Sequence, residues 1–445
     1  MAFLKSFKST VFIWFLGLLA CGNQPKIEKA VTGPELISKD TVVQKPVIVA
    51  ANRTGAYLSL LQDKKVGVVA NQTSLIFKEA RAKSQEPRQK KEVEQQNASE
   101  EKLRTTNYEL RTTHTHLVDS LLSLNVDIKK VFAPEHGFRG AADAGEKVKD
   151  GVDSTTGLPL ISLYGKNRKP TNEQLKDLDI VLFDIQDVGV RFYTYLATLQ
   201  LVMEACAANN VPIIVLDRPN PNAHYVDGPT MKKAHTSFLG MTEIPLVYGM
   251  TIGEYGQMIN EEGWLAGGKK ADLKVIPLEN WTYDTEYSLA VRPSPNLPSD
   301  KAINLYPSLG LFEGTNINAG RGTEFQFQRY GASFLDSTQY SFNYVPIPNF
   351  GSKHPKEEGK ICFGKDLAEI PKMSEVSLQW LLDAYMNSAD KSKVFNTDGF
   401  TAHAGITNLQ KQIEKGLSEA EIKITWQTDL EKFKKIREKY LMYGS

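Results

Sequence analysis

The residues best suited to chemistry in this chain fall in four short stretches, which together supply carboxylates, amides, arginines and aromatics. The first is V-F-A-P-E-H-G-F-R-G at 131–140, where Glu135 and His136 stand together and Arg139 lies between two glycines. Pro134 biases the residue before it toward extended backbone, and Gly137 permits a sharp turn, so the Glu135 side chain would project from the end of a strand. Partial desolvation there would favour its protonated form and suit it to general-acid work; the alternative is a helix-capping or ion-pairing glutamate. The second stretch is D-I-Q-D-V-G-V-R-F-Y-T-Y at 184–195. Asp187 is a candidate partner acid, Arg191 could hold it or grip a substrate carboxylate bidentately, and Tyr193 or Tyr195 could stack on a ring. A capping Asp187 with core aromatics would give the same residues. The third, D-R-P-N-P-N at 217–222, holds Arg218, Asn220 and Asn222 on a proline-stiffened turn fit for hydrogen bonding, or simply for a rigid connection. The fourth, F-E-G-T-N-I-N-A-G-R-G-T-E at 312–324, carries Glu313, Asn316, Arg321 and Glu324 on a glycine-loosened loop able to supply a second carboxylate. Acids for a glycosidic bond, amides and arginines for hydroxyls, and aromatics for ring faces make up the composition of a sugar site. Glu204 is a further acid, read as a solvated helix face.

The elements that must position these groups follow from the apolar runs. Four near-continuous runs, at 65–72, 126–135, 179–187 and 211–220, each end in polar residues. Helical patterns at 118–124, 172–178 and 195–209 separate them. This alternation predicts an α/β fold with a parallel sheet covered on both faces. Ligands of such sheets bind outside the carboxyl ends of the strands, so four polar strand ends point to one cleft. Beyond about residue 235 the alternation loosens. A helix over 250–260, a strand over 272–279, a proline-rich stretch at 292–299 and helices over 377–386 and 429–440 suggest a smaller second α/β domain, giving domains of 47–234 and 235–445. Residues 78–112 are highly charged and read as an exposed insertion. His114 and His116 follow it, with no third metal ligand nearby.

Composition excludes several classes. Lys+Arg of 53 against Asp+Glu of 52 leaves a net charge of +1, giving no basis for holding nucleic acid by bulk charge. There is no G-x-S-x-G, P-loop, H-E-x-x-H or clean G-x-G-x-x-G motif, and no metal or nucleotide cofactor is expected. Three cysteines provide no disulfide framework, and Cys206 reads as a buried helix residue. The N-terminus is different: Lys5 and Lys8 precede an apolar run at 11–20, too short to span a bilayer and suited to a signal peptide. The sequence L-L-A-C-G-N at 18–23 resembles a bacterial lipoprotein signal. Residues 1–20 would be removed, Cys21 lipidated, and residues 21–46 would tether the chain to a membrane of the cell envelope, periplasmic or outer.

The stretches P-E-H-G-F-R-G, S-L-Y-G-K-N-R-K-P-T, D-I-Q-D-V-G-V-R-F-Y-T-Y, V-L-D-R-P-N-P-N and F-E-G-T-N-I-N-A-G-R-G-T together resemble the exo-β-N-acetylmuramidase family of glycoside hydrolases, from about residue 52 to the C-terminus. The resemblance implies a Rossmann-like domain, a smaller C-terminal domain, an active site in the cleft between them, and release of terminal N-acetylmuramic acid from the non-reducing ends of peptidoglycan fragments. It also implies that Glu135 is catalytic, and leaves Asp187, Glu313 and Glu204 open as the second acid. Two features depart from the family: the charged insertion, and Tyr248 where a histidine is expected. The lactyl carboxylate of N-acetylmuramic acid would give Arg139, Arg191, Arg218 or Arg321 a natural ligand. The competing reading is a non-catalytic envelope lipoprotein that captures muropeptides.

Overall fold

Four β-branched runs form the centre of a seven-stranded sheet in the computed structural model, which describes residues 45–77, 113–140 and 150–444. The signal segment, Cys21, most of the tether and the charged insertion lie outside the described residues. In chain order, α1 (Thr54–Leu61) precedes β1 (Val66–Ala70), a small β2 (Leu75–Phe77) and β3 (His114–His116) hairpin, α2 (Leu117–Ser123) and β4 (Ile128–Ala133). Then come β5 (Gly151–Val152), β6 (Pro159–Ser162), α3 (Asn172–Leu175), β7 (Ile180–Asp184), α4 (Tyr195–Asn209), β8 (Ile213–Leu216), α5 (Ile252–Glu261) and β9 (Leu273–Ile276). The sheet order is β5-β6-β4-β1-β7-β8-β9, parallel throughout except for the edge pair β5–β6. The strand foreseen over 272–279 is β9. It pairs with β8, so the main sheet extends past residue 235, where the second domain is placed from sequence.

Both faces of the sheet are covered, which explains why its strands read as unbroken apolar runs. Successive residues of β7 go to opposite cores. Val181 and Phe183 pack with Leu199 and Val202 of α4 and with Tyr255, Met258 and Ile259 of α5. Ile180 and Leu182 pack with Tyr57 and Leu61 of α1 and with Leu117 and Leu121 of α2. Cys206 is buried in the first of these cores, as foreseen. From β1 the chain steps outward to β4 and on to the edge strand β5, returns through β6 beside β4, then crosses to β7 on the other side of β1. This reversal, between β1 and β7, is a topological switch point, the place outside the strand ends where such sheets bind ligands.

The C-terminal part is smaller. It begins with α6 (Asp300–Leu309), which runs into a 3₁₀ turn at Gly310–Gly314, and includes a three-stranded antiparallel sheet of β10 (Arg329–Ala332), β12 (Cys362–Asp366) and β11 (Phe342–Tyr344), in that order across the sheet. Helices α7 (Gln379–Met386), α8 (Thr397–Ala404), α9 (Asn408–Glu414), α10 (Glu419–Ile424) and α11 (Gln427–Arg437) complete it.

Candidate active site

Glu135 sits on the turn after β4. The Gly137 amide donates to the Pro134 carbonyl at 3.0 Å, closing a four-residue turn. His136 and Gly137 take φ of 70° and 74°. A non-glycine residue at positive φ is uncommon, with histidine among the more tolerant types, and a type II turn requires positive φ at its third position. This turn buries His136 and leaves Glu135 half-buried. Two hydroxyls fix the carboxyl group. Tyr164, from the S-L-Y-G stretch after β6, donates to Oε1 at 3.0 Å; Thr194, at the N-terminus of α4, donates to Oε2 at 3.0 Å. The Tyr195 hydroxyl adds a bond to the Glu135 carbonyl at 3.3 Å.

Asp187 follows β7 across the switch point. It is 2% exposed. Its Oδ2 accepts from the Gly189 amide at 2.6 Å and from the Tyr248 hydroxyl, while Oδ1 is buried without a hydrogen-bond partner among the described residues. Burial raises its pKa to about 6, against the pull of these donors. Gly189 is required here: its φ is +78°, and a Cβ would lie 2.2 Å from Asn220 Oδ1. Tyr248, fully buried, lies behind Asp187 as its hydrogen-bond donor.

Glu313 comes from the 3₁₀ turn after α6 and retains 21% side-chain exposure. Arg321 Nη1 donates to its Oε2 at 2.7 Å. Lys356 Nζ donates to the Phe312 and Glu313 carbonyls at 2.8 and 2.9 Å. Burial works to raise the Glu313 carboxyl, but Arg321, Lys356 and His403 outweigh it and hold the group below the usual carboxylate range. The turn packs directly on α8, where a Cβ on Gly314 would fall 2.3 Å from Phe400 Cα, so only glycine allows the approach.

Tyr306, on α6, joins these groups. Its ring packs edge-on against Phe192 and Phe327, and the charges of Glu313, Glu135, Arg321 and Asp187 all bear on its hydroxyl. Tyr193 lies edge-on to Tyr195 at 4.8 Å and donates to the Pro293 carbonyl at 2.7 Å. Glu135, Asp187, Glu313, Arg321, Tyr193 and Tyr195 are therefore brought together. Tyr306, Tyr164, Thr194, Lys356 and His403 join them without having been singled out as site residues. Tyr164 and Thr194 lay within quoted stretches; the others carried no local signal.

The other named residues brace the loops. Arg139 forms a fork with Asp119 at 3.0 Å and with Asp153 at 2.8 Å. Arg218 is buried against Asp184, with Nε 2.6 Å from Oδ1. Arg191 is 2% exposed, and its guanidinium donates to the carbonyls of Pro229, Ile244, His403 and Ala404 at 2.7–2.9 Å. Two of those carbonyls close the C-terminus of α8, where helix carbonyls lack internal partners and a cation is favoured. Asn220 donates to the Met250 carbonyl at 2.7 Å and accepts from the Asn222 amide at 2.8 Å. Asn222 Nδ2 reaches the Val188 carbonyl at 2.9 Å and Ile303 on α6 at 3.0 Å, tying the Asp187 loop to the helix of Tyr306. Glu204, read as a solvated face, is instead buried at 9% exposure and paired with Lys169 at 2.9 Å, because α4 turns that face toward the loop after β6. His116 caps α2 through Nδ1, and its Nε2 lies 2.9 Å from the Asn71 carbonyl. Glu324 is exposed, and Asn316 donates to the Lys393 carbonyl at 2.7 Å.

Comparison with known proteins gives the family. Residues 103–301 match the family model described as exo-beta-N-acetylmuramidase NamZ, N-terminal, and residues 304–443 match its C-terminal counterpart. The peptidoglycan beta-N-acetylmuramidase NamZ of Bacillus subtilis (strain 168) is 34% identical over 98% of this chain and 100% of its own length. Among solved structures, a DUF1343 family protein of Bacteroides fragilis NCTC 9343 (BF0379) is 38% identical, with a TM-score of 0.75 over 90% of this chain and 100% of that one. A second from the same organism (BF0371), at 24% identity and TM-score 0.70 over 89% and 99% of the two chains, shares the fold. The chain belongs to the exo-β-N-acetylmuramidase family of glycoside hydrolases.

Proposed function

We propose that this chain removes terminal β-linked N-acetylmuramic acid from the non-reducing ends of peptidoglycan fragments during cell-wall turnover, with Glu135 as the proton donor to the leaving oxygen. The observation that carries the assignment is the clamp on Glu135: Tyr164 and Thr194 each direct a hydroxyl at one of its oxygens, at the carboxyl end of β4. A carboxyl group held this way is pre-oriented for proton transfer, with one of the two hydroxyls turning to accept when the carboxyl carries its proton. Glu313, kept ionised by its cationic neighbours and partly exposed, faces the positive charge that develops at the anomeric carbon in an oxocarbenium-like transition state. Asp187 is the buried second negative charge, acting on the same region through the tyrosine layer of Tyr193, Tyr195 and Tyr306.

The anchoring expectation belongs to the same reading. Cleavage before Cys21 and lipidation of its thiol would place the enzyme in the bacterial envelope beside its substrate; the support is the Lys-apolar-L-L-A-C pattern of residues 1–21. Mass spectrometry of the N-terminal peptide tests it, with diacylglyceryl-Cys21 expected and an unmodified N-terminal peptide contradicting it. For the activity, a chromogenic β-N-acetylmuramide and the matching β-N-acetylglucosaminide are offered to the purified protein. Turnover of the muramide and not the glucosaminide is expected. Turnover of neither by folded protein that binds muropeptide would favour the capture reading.

A further inference from the structure

The arginines singled out in the sequence are all engaged by protein groups: Arg139 and Arg218 by aspartates, Arg191 by carbonyls, Arg321 by Glu313. Arg168 is different. It belongs to the S-L-Y-G-K-N-R-K loop, four residues beyond the Tyr164 that holds Glu135. It is exposed and forms no ion pair among the described residues; its guanidinium lies 4.2 Å from the Phe238 ring centroid. Such a contact orients a guanidinium without neutralising it. Arg168 and Phe238 line one open cavity of about 290 Å³ with Leu201, Thr236, Ser237 and Met241.

The cavity has a fixed relation to the reacting centre. Leu201 lies on α4, seven residues after Thr194, whose hydroxyl bonds Glu135. Seven residues are about two helical turns, which returns the side chain to the same face about 10 Å further along the axis. The opposite wall is built as a tight loop: Ser237 and Gly240 exchange two backbone hydrogen bonds of 3.0 Å, presenting Phe238 and the Ser237 hydroxyl on its tip. Glu204 on α4 is bound to Lys169, the neighbour of Arg168, and so is already paired. The cavity thus offers one oriented cation, two hydroxyls and an apolar floor, next to the loop that carries Tyr164.

We infer that the Arg168–Phe238 cavity is the subsite for the carboxylate carried on the 3-O substituent of the muramic acid ring, with Arg168 as its specificity-determining residue. The inference rests on the muramidase reading of the Glu135 site. Two sources share this chemistry: the bare lactyl group, and a peptide joined to it that ends in its own carboxylate. Phe238 holds the guanidinium, Ser237, whose hydroxyl only accepts within the loop, supplies a further donor, and Leu201 and Met241 receive the methyl or methylene groups of the substituent.

The test is a cycle between protein and substrate, run on the full chain. Wild type and Arg168→Gln are compared on the N-acetylmuramyl-N-acetylglucosamine disaccharide, on its lactyl methyl ester, and on the disaccharide with an L-alanyl-D-glutamate peptide on the lactyl group. Loss of a charge-assisted bond predicts a fall in kcat/KM of about 10- to 100-fold, carried by KM, with partial recovery in Arg168→Lys. The ester should cost the wild type a similar factor and cost Arg168→Gln almost nothing more. A penalty on the bare disaccharide identifies the lactyl group as the source; a penalty confined to the peptide-bearing substrate identifies the peptide carboxylate. Full and independent penalties from mutation and ester, or no change on any substrate, would overturn the inference. Wild-type protein that cleaves none of the three would instead count against the hydrolase reading, and the same cycle read by calorimetric binding would then decide the subsite.

Discussion

Replacing Tyr248 by phenylalanine removes one hydroxyl and should move the acid limb of the activity profile. The Tyr248 hydroxyl and the Gly189 amide donate to Asp187 Oδ2, while Oδ1 has no hydrogen-bond partner among the described residues. A hydrogen bond to a charged group contributes about 1.5–3 kcal/mol, and each 1.36 kcal/mol is about one pKa unit, so the change should raise Asp187 by about one to two units. It starts at about 6. The sign follows from which form the bond favours: Tyr248 stabilises the carboxylate, so its loss favours the protonated acid. If ionised Asp187 is needed, kcat/KM at pH 7 falls about two- to tenfold, and the loss is recovered near pH 9, given a limb displaced by about one to two units. The assay is muramide hydrolysis from pH 4.5 to 9.5 for both proteins. A limb with the same midpoint in the variant, or a uniform loss at every pH, would refute the coupling of Tyr248 to Asp187 ionisation.

Three further outcomes are expected. Gly189→Ala combines left-handed backbone with a Cβ placed on Asn220, and should cost about 2–4 kcal/mol in urea unfolding, with loss of activity because the Asp187 turn is displaced. Arg191→Met removes four bonds to buried carbonyls and uncaps α8, so a loss of at least about 3 kcal/mol is expected in the same measurement; a change under 1 kcal/mol would show that the carbonyls find other donors. Glu313 is held below its ordinary pKa, so its contribution to stability is complete above that ordinary value and disappears as pH falls through the depressed one. Glu313→Gln should therefore flatten the acid side of a melting-temperature profile, and an unchanged slope would contradict the pairing with Arg321.

Much of the frame was legible in the sequence because parallel strands buried on both faces must be continuous apolar runs. The segments at 65–72, 126–135, 179–187 and 211–220 became β1, β4, β7 and β8, side by side. The P-E-H-G turn was legible for a local reason, since proline and glycine dictate a strand end that exposes one side chain. The fate of the arginines was not. Arg191 and Arg218 sit in motifs as polar as any binding loop, yet one meets helix carbonyls and the other Asp184, partners set only by tertiary packing. Tyr306, Lys356 and His403 were invisible for the same reason: each lies on an element of the C-terminal part, and only the fold brings its charge or hydroxyl near Glu313. Glu204 was misjudged because one face of α4 turns toward Lys169 rather than to water.

The most direct test of the central claim is Glu135→Gln, examined for turnover and binding together. The side chain is half-buried, and the glutamine amide can accept from one of the Tyr164 and Thr194 hydroxyls through its oxygen and donate to the other through its nitrogen, so folding should be preserved. Loss of a general acid predicts a kcat lower by about 10²- to 10⁴-fold, with affinity for the muramyl disaccharide unchanged within a few-fold. A variant that keeps wild-type kcat, or that loses binding and turnover in equal measure, would show that Glu135 is not the proton donor.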